Sequence, residues 1–333
     1  MTIVAALVAT AALMALALLG AQSPGPRNIL GTVVPYVALA LFVGGFIYRV
    51  VKWALIPVPF RIPTTCGQQK SLSWIRPSRL DNPHTTLGVL GRMALEVLFF
   101  RSLFRNTKAE VREGGNAVYG PDKWLWLAGM AFHWSFLLIL LRHLRYFTEP
   151  VPRWVMGLQG VDAFFEIGVP AVYLTSLILL GAVTFLFLRR VFLPQVRYIS
   201  LVNDYFPLLL ILAIAGSGVW LRHFAKTDIE SVKAVAMGIL SFKPAAAEVL
   251  AGVDPLFFMH FFLVCILFAV FPYSKLMHMA GVFMSPTRNL ANTNRMKRHV
   301  NPWNYPVKIR TYEEYEDEFR DKMKAAGIPV EKE

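Results

Sequence analysis

Long apolar runs separated by charged segments dominate the chain. Six stretches of about 18 residues or more contain almost no charged side chain. A bilayer core of roughly 30 Å needs about 20 helical residues at 1.5 Å each, so every stretch is long enough to span it. The pattern predicts an all-α membrane protein, a bundle of about six transmembrane helices. The predicted spans lie near Thr2 to Gly20, Asn28 to Val51, Trp124 to Phe147, Ile167 to Leu188, Tyr205 to Leu221 and Pro255 to Met279.

The segments between and after these runs carry weaker helical patterns. Apolar residues recur at helical spacing from Leu87 to Leu98, with Arg92 and Glu96 among them. This predicts an amphipathic helix lying on the inner membrane surface. The charged stretch from Thr311 to Lys324 predicts a second exposed helix, which fits either a solvated tail or a docking element for a soluble partner.

The same patterning divides the chain into four parts. We predict two N-terminal transmembrane helices at 1–54, a cytoplasmic loop with the amphipathic helix at 55–121, a four-helix core at 122–280 and a cytoplasmic tail at 281–333. The first run resembles a signal peptide, but the basic region that should precede such a run is absent. We therefore expect it to be retained as a helix.

Composition and charge agree with a membrane protein. Of the 333 residues, 56% are hydrophobic and 17% charged, which is too apolar for an ordinary soluble domain. The net charge of +13 is unevenly placed, because 26 of the 34 Lys and Arg residues fall in segments on one side of the predicted spans. Such an excess marks the cytoplasmic side, so both termini are predicted to be cytoplasmic in a multi-pass protein of the inner membrane. The lipid membrane accounts for the basic residues, and no nucleic-acid partner is expected.

The histidines are the main candidate cofactor ligands in the sequence. Only Cys66 and Cys265 are present, without a CxxC motif, so a disulfide framework, a thiolate metal site and covalently attached haem are not expected. The third predicted span contains His133 and His143, and the sixth contains His260 and His278. A histidine within a bilayer usually faces a cavity, a polar partner or a cofactor. Of the other three histidines, His84 and His299 lie in polar stretches and are expected at the surface, and His223 ends the fifth span.

The depths of the four histidines suggest two pairs. The third and sixth spans are antiparallel, so His143 and His260 fall near the outer side while His133 and His278 fall towards the inner side. Each pair is suited to binding the iron of one haem b, which predicts two haems. Spacings of 10 and 18 residues along a helix correspond to about 15 and 27 Å, leaving a mismatch of about 12 Å. Depth by itself therefore does not prove this pairing.

These spacings, with the segment from Phe271 to His278 (FPYSKLMH), resemble the nitrate reductase gamma-subunit family of di-haem cytochromes b. Within that family, the segment from Gly91 to Glu96 (GRMALE) and the chain length resemble the DsrM branch, found in DsrMKJOP-type membrane complexes of sulfate reducers. The resemblance covers the second to sixth spans and the loop. It implies the same histidine pairing, with menaquinol oxidised near the outer haem. It also implies electron transfer to a cytoplasmic DsrK-like iron–sulfur subunit related to heterodisulfide reductase, in dissimilatory sulfur metabolism.

Other polar residues are candidates for supporting roles at the outer side. Arg142 and Arg145 flank His143 and are suited to pairing with haem propionates, although plain interfacial arginines would look the same. His223, Asp162 and Glu166 are candidate acceptors for the two protons that quinol oxidation releases. Ordinary helix-end residues explain them equally well.

Two other functions fit parts of the pattern. The four histidines would also suit a transporter or channel without haem, in which they line a proton or metal pathway. A membrane metal oxidase normally needs closely spaced histidines and carboxylates, which this sequence lacks. Visible absorption separates these readings, because reduced bis-histidine haem b gives sharp bands and a histidine-lined pathway gives none.

Overall fold

The structure, a computed structural model, describes residues 1–58, 62, 67–105, 108–111, 113–297 and 305–332. His299 and Cys66 lie outside the described residues. In chain order the helices are α1 (Thr2–Gly20), α2 (Pro24–Ala54), α3 (Thr86–Phe99), α4 (Arg101–Phe104), α5 (Lys123–His143), α6 (Arg153–Phe164), α7 (Leu174–Phe192), α8 (Pro194–Tyr198), α9 (Val202–Val219), α10 (Ile229–Leu240), α11 (Ala247–Ala251), α12 (Pro255–Val270), α13 (His278–Gly281) and α14 (Tyr312–Ala325). A hairpin of β1 (Lys108–Val111) and β2 (Ala117–Gly120), absent from the prediction, precedes α5.

Six helices within the described residues are long and apolar enough to cross a membrane, which confirms the predicted fold class. They are α1, α2, α5 with the turn that follows it to Tyr146, α7, α9 with the turn to Phe224, and α12 with the turn to Tyr273. The core forms where α5 packs on α7, α7 on α9, α9 on α12 and α12 on α2, while α1 lies against α9 and α12. Leu210, Met259 and Leu263 are fully buried in the last of these contacts, beside Ala17 of α1.

The fourth span begins later than the sequence predicts, at Leu174 instead of Ile167. Ile167 and Val172 form an isolated antiparallel bridge around Gly168, whose φ of 97° is accessible mainly to glycine. Pro170 also lies in this turn and cannot donate a helical hydrogen bond. Asp162, which precedes the predicted fourth span, lies in the separate helix α6.

α3 forms where the periodicity predicts a helix, and its polar side chains are the ones that pack on the protein. Arg92 and Glu96 are buried at 6% and 8% exposure, whereas Leu87 is 81% exposed and Leu90 60%. The Arg92 guanidinium donates to the carbonyl of Thr287 at 3.1 Å, and Glu96 accepts from the backbone N–H of Ser102 at 3.2 Å. The polar face of α3 thus packs on the protein and its apolar face is outermost.

We call residues 67–105 together with 285–297 the cap. The two segments are joined at Asn292, which is fully buried and donates its backbone N–H to Pro83 at 2.7 Å, while its side chain bonds that of Asn82. Asp81 joins the start of the cap to Arg101 and Arg105. Burial alone would raise the pKa of Asp81, but hydrogen bonds from Arg101 and Ser78 outweigh it and hold that pKa below its ordinary value. The packed unit therefore continues past the predicted boundary at Gly281.

The charged stretch near the C-terminus forms α14, as predicted. Thr311 and Glu314 make a reciprocal capping box at its start, with hydrogen bonds of 3.3 and 3.1 Å. Glu316 accepts from the backbone N–H groups of Glu331 and Lys332 at 2.8 and 2.9 Å, which folds the end of the chain back onto the helix. Those backbone donors, Glu331 first, lower the pKa of Glu316. α14 is thus stabilised by its own flanking residues.

Candidate functional site

The structure brings His133 and His278 together. Their ring centroids are 5.9 Å apart and their planes are nearly perpendicular. Two metal–imidazole bonds of about 2 Å each, with the two ring radii, give a centroid separation of roughly 6 Å. The spacing of this pair therefore fits one metal ion held between the two rings.

Both rings of this pair are oriented by backbone carbonyls. The Nδ1 of His133 lies 2.8 Å from the carbonyl of Gly129, and that of His278 lies 2.8 Å from the carbonyl of Lys275. A carbonyl only accepts, so in each ring Nδ1 carries the hydrogen and Nε2 keeps its lone pair. This is the state in which an imidazole binds a metal, with the second nitrogen fixing its orientation.

His143 and His260 lie near each other, and each has its Nδ1 occupied by a hydrogen bond. His143 donates its Nδ1 hydrogen to the carbonyl of Ile139 at 2.7 Å, and it is near enough to His260 for the two rings to interact electrostatically. His260 points its Nδ1 at the hydroxyl of Ser217, at 3.0 Å. That hydroxyl uses its own hydrogen towards the carbonyl of Ala213 at 2.7 Å, so it accepts from His260. Both Nε2 atoms of this pair again keep their lone pairs.

The surroundings of the rings also suit a bulky planar group. His133, His143 and His278 are exposed although they belong to the helical bundle, so open space lies against their rings. A Cβ added to Gly218 of α9 would stand 3.1 Å from the Cε1 of His260, so only glycine gives that ring its present room. In the described part of the chain, no three His, Cys, Asp or Glu side chains converge on one point, and the histidines come as pairs. The donor set fits two haems b, each between two imidazoles.

A break after α12 explains how His278 reaches the depth of His133. The helix ends at Val270 and is followed by 3₁₀ turns at Phe271–Tyr273 and Lys275–Met277. Pro272 cannot continue the helical ladder, and the Ser274 hydroxyl accepts from the backbone N–H of Leu276 at 3.2 Å. The segment between His260 and His278 is therefore not one straight helix, so the 27 Å of a continuous helix of about 18 residues does not describe it.

Asp204 anchors this break and was missed in the sequence. Its side chain is 2% exposed, caps its own helix through the N–H of Leu201, and binds the ammonium of Lys275 at 2.5 Å. The carbonyl of Lys275 is the one that orients His278. A carboxylate directly before an otherwise apolar span is the signal in the sequence that could have identified it.

The cap reaches the His133 pair. Phe100, which has a left-handed φ of 48° between α3 and α4, packs edge-on against the ring of His133 at 4.8 Å. Trp126 and Trp134 of α5 donate their indole N–H groups to the carbonyls of Phe99 and Leu98, at 2.8 and 3.1 Å. The cap therefore forms one wall of the space around this pair.

The predicted polar residues near His143 form a cluster around Tyr173, which the sequence did not single out. Arg142 stacks over the Tyr173 ring at 4.5 Å and pairs with Asp162, which also accepts from the backbone N–H of Thr175 at 3.1 Å. The guanidinium of Arg222 donates to the Tyr173 hydroxyl at 3.0 Å. The buried ring of His223 packs edge-on against Tyr173 at 4.9 Å.

The remaining predicted residues lie further out. Arg145 bonds Gln159 of α6, and Glu166 is exposed but close enough to His223 and Arg222 to interact with them. The Nε of Arg142 is buried and has no hydrogen-bond acceptor among the described residues. A haem propionate is one group that could accept from this guanidinium. His84, expected at the surface, is half-buried in the cap.

Comparison with known proteins identifies the family to which the chain is similar. Residues 89–299 match the family described as nitrate reductase gamma subunit. The chain is 48% identical over 280 residues to the Hdr-like menaquinol oxidoreductase cytochrome b-like subunit of Archaeoglobus fulgidus, which covers 83% of each chain. It is 44% identical over 284 residues to the protein of the same name from Archaeoglobus profundus, covering 83% of this chain and 84% of that one. The chain belongs to the nitrate reductase gamma subunit family.

Proposed function

We propose that the chain is the menaquinol-oxidising cytochrome b subunit of a membrane-bound electron-transfer complex, with two haems b. The observation that carries this is the pair of facing imidazoles at 5.9 Å, His133 and His278, each with Nδ1 occupied and Nε2 available. His143 and His260 repeat the arrangement at the other end of the bundle. The names of the two relatives support menaquinol as the electron donor.

The chain's own residues hold and orient the electron carriers. Haem would supply one-electron transfer chemistry at each pair. His143 and His260 would hold the outer haem, and His133 and His278 the inner one. Arg142 and Arg145 provide cationic groups at the outer end, where propionates need partners. Asp204 and Lys275 keep the turn that bears His278 in place.

Quinol oxidation gives one quinone, two electrons and two protons, and residues at the outer end are placed to receive the protons. His223 is the first acceptor in this proposal, and exposed Glu166 lies near it as the route to water. Asp162 stays a weaker candidate, because its carboxylate already pairs with Arg142 and accepts from Thr175. It serves better as the counterion that orients Arg142.

The electrons pass from the outer to the inner pair and then to a soluble acceptor. We propose a DsrK-like iron–sulfur subunit on the cytoplasmic side, within a DsrMKJOP-type complex of dissimilatory sulfur metabolism. The description of both relatives as Hdr-like supports an acceptor of the heterodisulfide-reductase type. The cap is the surface that this subunit meets, because it covers the inner pair.

The purified chain is expected to contain about two haems b, since it offers two bis-histidine sites. Pyridine haemochrome absorption, divided by protein concentration, measures the ratio. A dithionite-reduced spectrum should show sharp bands, and addition of a naphthoquinol should reduce both haems. A ratio near zero would favour the haem-free transporter and refute this function.

The same proposal sets the orientation in the membrane. An even number of spans puts both termini on one side, and the excess of Lys and Arg places that side in the cytoplasm of a cell whose inner membrane holds the protein. A protease-cleavable tag at either terminus should resist protease added to intact spheroplasts and be cleaved in inverted vesicles. Cleavage in intact spheroplasts would contradict the orientation and place quinol oxidation on the inner side.

A further inference from the structure

An open apolar cavity of about 330 Å³ lies where α1 meets α9 and α12. Its lining includes Met14 of α1, Gly216, Ser217 and Trp220 of α9, and Met259 of α12. The side chains are apolar except for one hydroxyl and the indole N–H. The volume is at the lower end of the range for small-molecule sites, about 300–1,000 Å³.

The hydroxyl in this lining is the partner of an outer-pair histidine. Ser217 accepts the Nδ1 hydrogen of His260 at 3.0 Å and gives its own hydrogen to the carbonyl of Ala213. One serine side chain therefore separates the cavity from a ligand of the outer pair. A molecule in the cavity is within short electron-transfer reach of that pair through the His260 ring.

The cavity lies at the outer end of the bundle and opens on its lipid-facing surface. Trp220 follows directly on α9 and is 55% exposed, and Met14 lies in the last third of α1. Trp220 also begins a π-helical turn that ends at Phe224 and contains His223. Such turns change the direction of successive side chains and are frequent at functional sites.

Gly216 leaves the space that makes the cavity. Within the described part of the chain, a Cβ added at Gly216 would meet no atom within 4 Å. Gly218, one position beyond Ser217, instead stands against the His260 ring. In α9, Gly218 thus allows the close approach of the His260 ring, and Gly216 leaves open space on the side facing α1.

We propose that this cavity binds the ring of a prenylated naphthoquinol, with its isoprenoid tail in the bilayer, so that α1 forms part of the substrate site. The inference rests on the proposed function and adds where the substrate binds. Bound quinol gives two electrons, one at a time, through His260 to the outer haem and on to the iron–sulfur acceptor, and releases two protons to the outer side. A lipid acyl chain is the alternative occupant. It has no polar group to form a hydrogen bond with the Ser217 hydroxyl, which contacts His260.

Gly216→Leu adds a side chain to the cavity from α9, and its Cβ would meet no described atom within 4 Å. In membranes that contain the full chain, we expect the KM for haem reduction by menadiol to rise about tenfold or more, which is about 1.4 kcal/mol of lost binding. The reduced haem spectrum and reduction by dithionite should stay unchanged. Gly181→Leu on α7 is the matched control, because a Cβ there also meets no described atom within 4 Å.

Met14→Trp is the second test, since it fills the same cavity from α1 and makes no contact with the histidines in the arrangement described. It should raise the KM for menadiol as Gly216→Leu does. If Gly216→Leu loses haem, the KM of Met14→Trp tests whether the cavity is the quinol site. Normal menadiol kinetics in a haem-replete Gly216→Leu or Met14→Trp chain would overturn the cavity as the quinol site and leave a lipid as its occupant. Failure of the unsubstituted chain to bind haem or accept electrons from menadiol would instead overturn the proposed function.

Discussion

Replacing one histidine of a pair is expected to remove one haem and leave the other. His143→Ala or His260→Ala should abolish the outer haem and with it quinol oxidation, whereas His133→Ala or His278→Ala should abolish the inner haem. Each iron depends on two protein ligands, so haem content should fall from about two to about one per chain. Pyridine haemochrome analysis measures the content, and redox titration of the visible bands identifies the haem that remains.

His84→Ala is the matched control for these variants. His84 lies in the cap, outside both pairs, and its replacement should leave the haem content and both redox components unchanged. If His143→Ala and His278→Ala removed the same redox component, the pairing would be wrong. The structure favours the proposed pairing, because the rings of His133 and His278 already face each other.

Truncation at two positions is expected to separate haem binding from partner docking. Removal of everything after Lys297 takes away α14 but keeps the cap, so both haems and quinol oxidation should remain. We propose that α14 adds to the docking surface of the cap, so electron transfer to a limiting concentration of the iron–sulfur partner should slow about tenfold, which is about 1.4 kcal/mol. Stopped-flow reduction of the partner, with haem content as reference, measures this effect.

Truncation after Gly281 should also destabilise the inner haem. All four histidines precede Gly281, so the sequence alone predicts that both haems survive. The structure predicts otherwise, because Thr287 and Asn292 are then lost and Arg92 and Pro83 lose buried hydrogen-bond partners, at a cost of about 1–3 kcal/mol each. The temperature at which the inner haem bands disappear should fall relative to the Lys297 truncation. Equal temperatures, or full-rate reduction of the partner by either truncation, would contradict the role of the cap or of α14.

The apolar pattern alone determined the fold class and most of the spans. Bilayer thickness demands about 20 apolar residues per crossing, and this requirement is visible in any sequence. The four histidines stood out for a related reason, since an imidazole inside a bilayer needs a partner. Depth matching then suggested the pairs that the structure brings close.

Tertiary structure decided what periodicity does not encode. The mismatch of about 12 Å assumed one continuous helix, whereas α12 ends at Val270 and the following turns, tied to Asp204 through Lys275, place His278 beside His133. The orientation of α3 was likewise set by partners outside the helix, because Arg92 and Glu96 form hydrogen bonds with Thr287 and Ser102 and leave Leu87 and Leu90 outermost. Arg142, Arg222 and His223 contact Tyr173 only because α5, α7 and α9 meet there in the folded chain. Spans follow from a local transfer free energy summed along the chain, whereas turns, caps and polar clusters depend on contacts between residues that the chain brings together only after folding.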